Sequence, residues 1–138
     1  MLFDADCGFC RWAMAWALRV DRRHVLVAVP IQSALGAELL DELAPSQRLS
    51  SAHVVQEDGR RISGGTAAAM VLAALPPTRA LGMLARRLPG TTERLYAVVA
   101  GQRTHLGRLV GRRARRRADR LVRAASVTTA EDLKTRRG

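Results

Sequence analysis

Asp4-Ala5-Asp6-Cys7-Gly8-Phe9-Cys10-Arg11 joins the first apolar residues of the chain, Leu2-Phe3, to a helical pattern that runs to Val20. Two thiols three positions apart at the mouth of a helix govern the rest of the reading. Along that helix Cys10, Ala13, Met14, Ala17 and Leu18 share one face, and Trp12 and Trp16 lie on an adjacent one. Arg11, Ala15, Arg19 and Arg22 form the wet side. The helix is therefore expected to be covered on more than one side and to end at Asp21-Arg22-Arg23-His24.

A thiolate, not a thiol, attacks a disulfide, so a reactive site must favour negative charge on sulfur. The first turn of a helix offers unpaired N–H groups and the positive end of the macrodipole. Cys7 falls there and is the expected nucleophile; Cys10, one turn on, is the expected resolving thiol. Arg11 adds a positive charge nearby, whereas Asp4 and Asp6 oppose the thiolate. Two roles are open to these acids: capping the helix, or accepting a proton when Cys10 attacks. A Cys-x-x-Cys is also half a zinc site, or two small packing residues. Zinc needs two further ligands, and His24, His53 and His105 are not paired at metal spacing. No metal and no cofactor is expected, and His24 and His53 are expected at the surface or at strand ends.

Downstream, Val25-Leu26-Val27-Ala28-Val29 before Pro30 reads as a buried strand. Leu35 to Leu43 reads as a short helix, and Ser46 to Ser51 as a polar loop. Ala52 to Gln56 and Arg61-Ile62-Ser63 read as strands joined by the hairpin signal Glu57-Asp58-Gly59-Arg60. Thr66 is an expected N-cap for a helix through Leu75, stopped by Pro76-Pro77. Thr78 to Leu88 and Thr92 to Arg103 follow as helices. A stripe from Leu106 through Ala125 then continues helically, and the polar last dozen residues are expected to fray.

The order strand, helix, strand, helix, strand, strand, helix implies one right-handed parallel crossover and an antiparallel hairpin. This predicts an α/β fold with a thioredoxin-like core, a mixed central sheet and added C-terminal helices. Residues 1–78 are the expected core, 79–108 its helical continuation and 109–138 an Arg-rich amphipathic tail. With 138 residues and 48% apolar content but only 4% aromatic, Ala and Leu must fill the interior.

The net charge of +11 is concentrated in the tail. Residues 1–100 hold eleven Arg against nine acids, whereas residues 101–138 hold twelve basic residues against three acids. A solvated Arg face on a docked helix, a helix on an acidic partner or an anionic membrane surface, and nucleic-acid binding are the three readings of that tail. The last is disfavoured by the lack of aromatic interleaving. The N-terminus has neither a basic n-region nor an apolar h-region, and no window nears the roughly 18 apolar residues of a membrane span. A cytoplasmic, reducing location is expected, where a lone Cys pair is more often catalytic or metal-binding than a structural disulfide. Strands usually run about 5–6 residues, so a native start upstream of Met1 is also expected.

Asp4 to Arg11 resembles the signature of the DCC family of thiol-disulfide oxidoreductases. Val29-Pro30-Ile31-Gln32-Ser33-Ala34-Leu35-Gly36 resembles its second box, and His53-Val54-Val55, Asp58-Gly59 and Gly65-Thr66-Ala67-Ala68 its third. Arg87-Leu88-Pro89, Leu95-Tyr96 and Arg103 are similar to its C-terminal helices, so the likeness covers residues 1–108. It implies a thioredoxin-like core, a Cys7/Cys10 redox pair, Asp4 as the motif acid and Gln32 lining the site. It also implies a protein or small-molecule disulfide as substrate and a separate reductant. Ala5 stands where the family has glycine, and Leu49-Ser50-Ser51-Ala52 lacks the proline that faces the dithiol in thioredoxin relatives. The competing expectation is a non-catalytic adaptor that binds through its Arg-rich C-terminal helix.

Overall fold

The computed structural model describes residues 1–137, with side chains described through Ser126. Its strands are β1 (Leu2–Phe3), β2 (Val29–Pro30), β3 (His53–Val55) and β4 (Arg61–Ser63). Its helices are α1 (Gly8–Val20), α2 (Ala34–Leu39), α3 (Pro45–Ser50), α4 (Gly64–Ala74), α5 (Arg79–Arg87), α6 (Pro89–Gly101), α7 (Arg103–Leu109) and α8 (Arg112–Arg137). The polar end expected to fray lies outside the described side chains.

The sheet order is β2-β1-β3-β4, with β1 parallel to β2 and antiparallel to β3, and β3 antiparallel to β4. This is the mixed sheet of a thioredoxin-like α/β fold. Strand periodicity sorts the core onto two faces. Phe3 and Ala28 point to the side covered by α1 and α8, meeting Met14, Ala15, Ala118 and Val122. Leu2, Val29 and Ile31 point the other way, onto Leu40. Val54 on the first side packs with Ala17 of α1 and Val71 and Leu75 at the end of α4. The small residues let helices close in: a methyl on Gly82 would lie 2.1 Å from the Ala73 backbone nitrogen.

Several expectations are corrected. The strand over residues 25–29 shrinks to two residues, with Val25 and Val27 exposed. Backbone groups need partners, and β1 pairs with this run only at its end: Val29 N–H donates to Met1 O at 3.0 Å. The Leu26 N–H turns instead to Asp21 Oδ2 at 2.7 Å. Residues 46–50 form α3 rather than a loop, begun by Pro45 in its first turn. The stripe after Leu106 breaks at Val110 and Gly111, which separate α7 from α8.

Thr66 does not cap α4; Ser63 occupies the N-cap position without a side-chain bond to the helix amides. The capping group arrives from α6. Glu93 accepts hydrogen bonds from the amides of Gly65 and Thr66 at 3.0 and 2.9 Å and from the Thr66 hydroxyl at 3.0 Å. His53 opens β3, at a strand end as expected, and is buried there. Its Nε2 lies 3.0 Å from Arg48 O and must donate to it, so Nδ1 is left to accept from the Ser63 hydroxyl at 2.7 Å. His24 is exposed and adopts φ 52°, turning the chain after α1.

Candidate active site

Helix α1 begins at Gly8, so Cys7 itself is the N-cap, with extended backbone (φ −84°, ψ 113°). Its Sγ takes the place that a Ser or Asp oxygen fills in most caps, accepting the Cys10 N–H at 3.3 Å. The capping role open to Asp4 and Asp6 is thereby taken by sulfur. Both thiols are free and half-buried. Burial, and then the neighbouring Cys7, push the Cys10 thiol far above its ordinary value; Asp4 adds to this and Arg103 opposes it. Cys10 is therefore a proton-bearing thiol at neutral pH.

The acids belong to the loop before the helix. Asp4 Oδ1 accepts the Asp6 N–H at 2.9 Å, a local Asx turn. Gln32, just after β2, clasps this loop: its Nε2 donates to Asp4 Oδ1 at 2.8 Å and to Asp6 Oδ2 at 3.2 Å, while its Oε1 accepts the Ala5 N–H at 3.1 Å. Cys7, Cys10, Asp4, Asp6 and Gln32, five positions singled out in the sequence, thus lie together. Arg11 is directed elsewhere, with Nε 3.3 Å from Asp119 Oδ1 on α8.

The cation that acts on Cys10 is Arg103, a residue to which sequence reasoning assigned no site role. Its Nη1 donates to Leu49 O at 2.7 Å, fixing it over the segment before β3. Tyr96, the only tyrosine, accepts the Ala52 N–H at 2.6 Å. Burial raises its phenol, and Cys10 is among the groups acting on it. Their only signal in the sequence was likeness to the family's C-terminal helices. Two further residues close over the Cys-Gly-Phe-Cys turn. A methyl on Gly107 would lie 3.4 Å from the Phe9 nitrogen, and one on Gly8 would lie 3.6 Å from Arg115 Nε. Arg115 donates to the Gly107 carbonyl, tying α8 to α7 at this point.

Residues 1–109 match the DCC1-like thiol-disulfide oxidoreductase family, with Cys7 and Cys10 inside the matched segment. The chain belongs to the DCC1-like thiol-disulfide oxidoreductase family. No curated protein and no solved structure matches it. Among the described residues of this DCC1-like chain, no group of three or more His, Cys, Asp or Glu side chains is arranged to hold a metal ion.

The arrangement has a definite chemical capacity. One sulfur sits where helix amides converge; the second lies a turn inward and holds its proton. Phe9, between them, stacks on Trp12 with ring centroids 5.9 Å apart, giving the DCC1-like site an aromatic rim.

Proposed function

We propose that the protein is a thiol–disulfide oxidoreductase in which Cys7 is the nucleophile and Cys10 the resolving thiol. The observation that carries this reading is the asymmetry of the pair: Cys7 Sγ accepts an amide of the first helical turn, whereas the Cys10 thiol is pushed up by burial. The Cys7 thiolate attacks one sulfur of a substrate disulfide, forming a mixed disulfide and expelling the other sulfur as a thiolate that takes a proton from water. Cys10 then loses its proton and attacks Cys7 Sγ, closing the Cys7–Cys10 disulfide and releasing the second substrate thiol. The substrate gains two electrons and the dithiol loses two. An external thiol reductant restores the pair.

Asp4 is the proposed proton acceptor for Cys10, since its carboxylate acts on that thiol. Arg103 is the proposed counter-charge to the Cys10 thiolate, and Gln32 positions Asp4. The proposed substrate is a protein or small-molecule disulfide, in a reducing compartment such as the cytoplasm. The test is reduction of insulin and of hydroxyethyl disulfide. C7S should abolish turnover and C10S should accumulate mixed disulfides; wild-type rates in the double variant C7S/C10S refute the proposal. A potential near about −270 mV favours a reductase, and one near about −120 mV an oxidant.

A second reading is favoured by the exposed arginines of α8, among them Arg112, Arg113, Arg116, Arg117 and Arg120. In it the domain is an adaptor for an acidic partner or membrane surface. Retained partner binding in C7S/C10S, with loss on neutralising those arginines, supports it.

A further inference from the structure

A groove of about 430 Å³ runs between α1 and α8, lined by Trp12, Trp16 and Arg19 on one wall and Arg113, Arg117 and Leu121 on the other. Past Trp16 and Arg19 it continues into a second depression of about 710 Å³, bounded by Arg22, Pro76 and Pro77. The two helices run in the same direction: Gly8 faces Arg115 and, one turn on, Arg11 faces Asp119. The groove therefore follows α1 away from the dithiol turn, starting where Trp12 stacks on Phe9.

Its chemistry is one-sided. Arg19, Arg22, Arg113 and Arg117 are all exposed, and among the described residues none has an ion-pair partner and no carboxylate lines either depression. Between them stand two indoles, 39% and 37% exposed, and Leu121 at 45%. Guanidinium groups select carboxylates with directed, charge-assisted hydrogen bonds. Indole faces left open to water select apolar side chains.

We propose that this groove binds an acidic, partly apolar peptide segment in extended form. On the dithiol reading, on which the identity of the occupant rests, that segment flanks the disulfide of the substrate. The lining from Trp12 to Val20 follows about 12 Å of α1, the span of an extended peptide of about four residues. A channel open along one side admits a chain passing through, whereas a bilayer presents a flat surface to the rims alone.

The chain contains only two tryptophans, and both line the groove, so their emission reports occupancy directly. The full chain is titrated with a cysteine-free peptide alternating Glu and Leu, and with its Gln-for-Glu counterpart. The acidic peptide should shift the emission saturably and the neutral one should not, with the shift lost as salt rises from about 0.05 to about 0.5 M. R113Q/R117Q should weaken binding at least about tenfold, equivalent to about 1.4 kcal/mol. R60Q/R94Q removes the same charge from exposed positions outside the groove and should leave affinity within about twofold. An equal response to both peptides, equal losses in both double variants, or a response to phosphatidylglycerol vesicles but not to peptide overturns the proposal. Reduction of hydroxyethyl disulfide by the same preparation separates the two readings. Binding without any reduction refutes the dithiol reading alone; reduction without binding refutes the groove.

Discussion

Glu93 of α6 closes the amino end of α4 from 28 residues away, its Oε2 accepting the Gly65 N–H at 3.0 Å. Cap residues contribute about 1 kcal/mol, and a carboxylate at a helix N-terminus gains further from the macrodipole. E93A should therefore lower unfolding stability by about 1 kcal/mol, and E93Q by less. The Gly65 and Thr66 amides hold this carboxyl below its ordinary 4.5. A depressed acid contributes stability above its unfolded value, and the contribution is lost as pH falls through the folded one. Wild type should thus lose stability below about pH 4.5 more steeply than E93Q in chemical denaturation. Parallel acid limbs refute the assignment.

The raised Cys10 thiol has the opposite sign. Its stabilising preference for the protonated form is complete below the ordinary value of 9.0 and declines as pH rises above it. Reduced protein should lose stability progressively in alkali, and C10S should lose less, keeping only the part that the raised Tyr96 phenol contributes. At neutral pH iodoacetamide should label Cys7 before Cys10, read by peptide mass mapping. Preferential labelling of Cys10 contradicts the order of roles.

Gln32 donates to two carboxylates and accepts one amide, so its replacement by Ala and by Glu should differ in pH dependence. Q32A removes the clasp and should cost about 1 kcal/mol. Q32E sets a third carboxylate beside Asp4 and Asp6 and should be worse at pH 7, recovering as the acids protonate. A thermal melt series over pH decides it: Q32E as stable as Q32A at neutral pH contradicts the geometry.

At Gly82 a methyl would meet the Ala73 backbone at 2.1 Å, whereas at Gly90 nothing lies within 4 Å. G82A must push α5 off α4 and should cost about 1–3 kcal/mol. G90A relieves backbone entropy in α6 and should be neutral or stabilising by up to about 1 kcal/mol. Urea melts of the two variants in parallel check the contrast.

The order of elements and the placement of the two thiols were legible because they depend on local signals: periodicity, turn residues and the Cys spacing. So was the Asp4–Gln32 neighbourhood, through likeness to a family. What escaped was whatever long-range partners decide. The run from Val25 to Val29 has strand composition, yet β1 pairs with it only at Val29. Thr66 has the composition of an N-cap, but Glu93 arrives from another helix and displaces it. Arg11 follows Cys10 in the chain, where it is expected to bring positive charge near the thiolate; α8 brings Asp119 to it instead, and the cation acting on the Cys10 thiol is Arg103. No window of sequence contains those pairs.

Ala118 and Val122 share a cluster with Phe3 and Met14, although both lie past residue 109, where the family match ends. The boundary of the family is thus not the boundary of the folding unit. A chain trimmed there would present the underside of its redox helix to water as an open greasy flank, and would aggregate for reasons unrelated to its cysteines. Expression fragments and domain fusions should keep the basic helix, treating it as a wall of the building and not as an appendage.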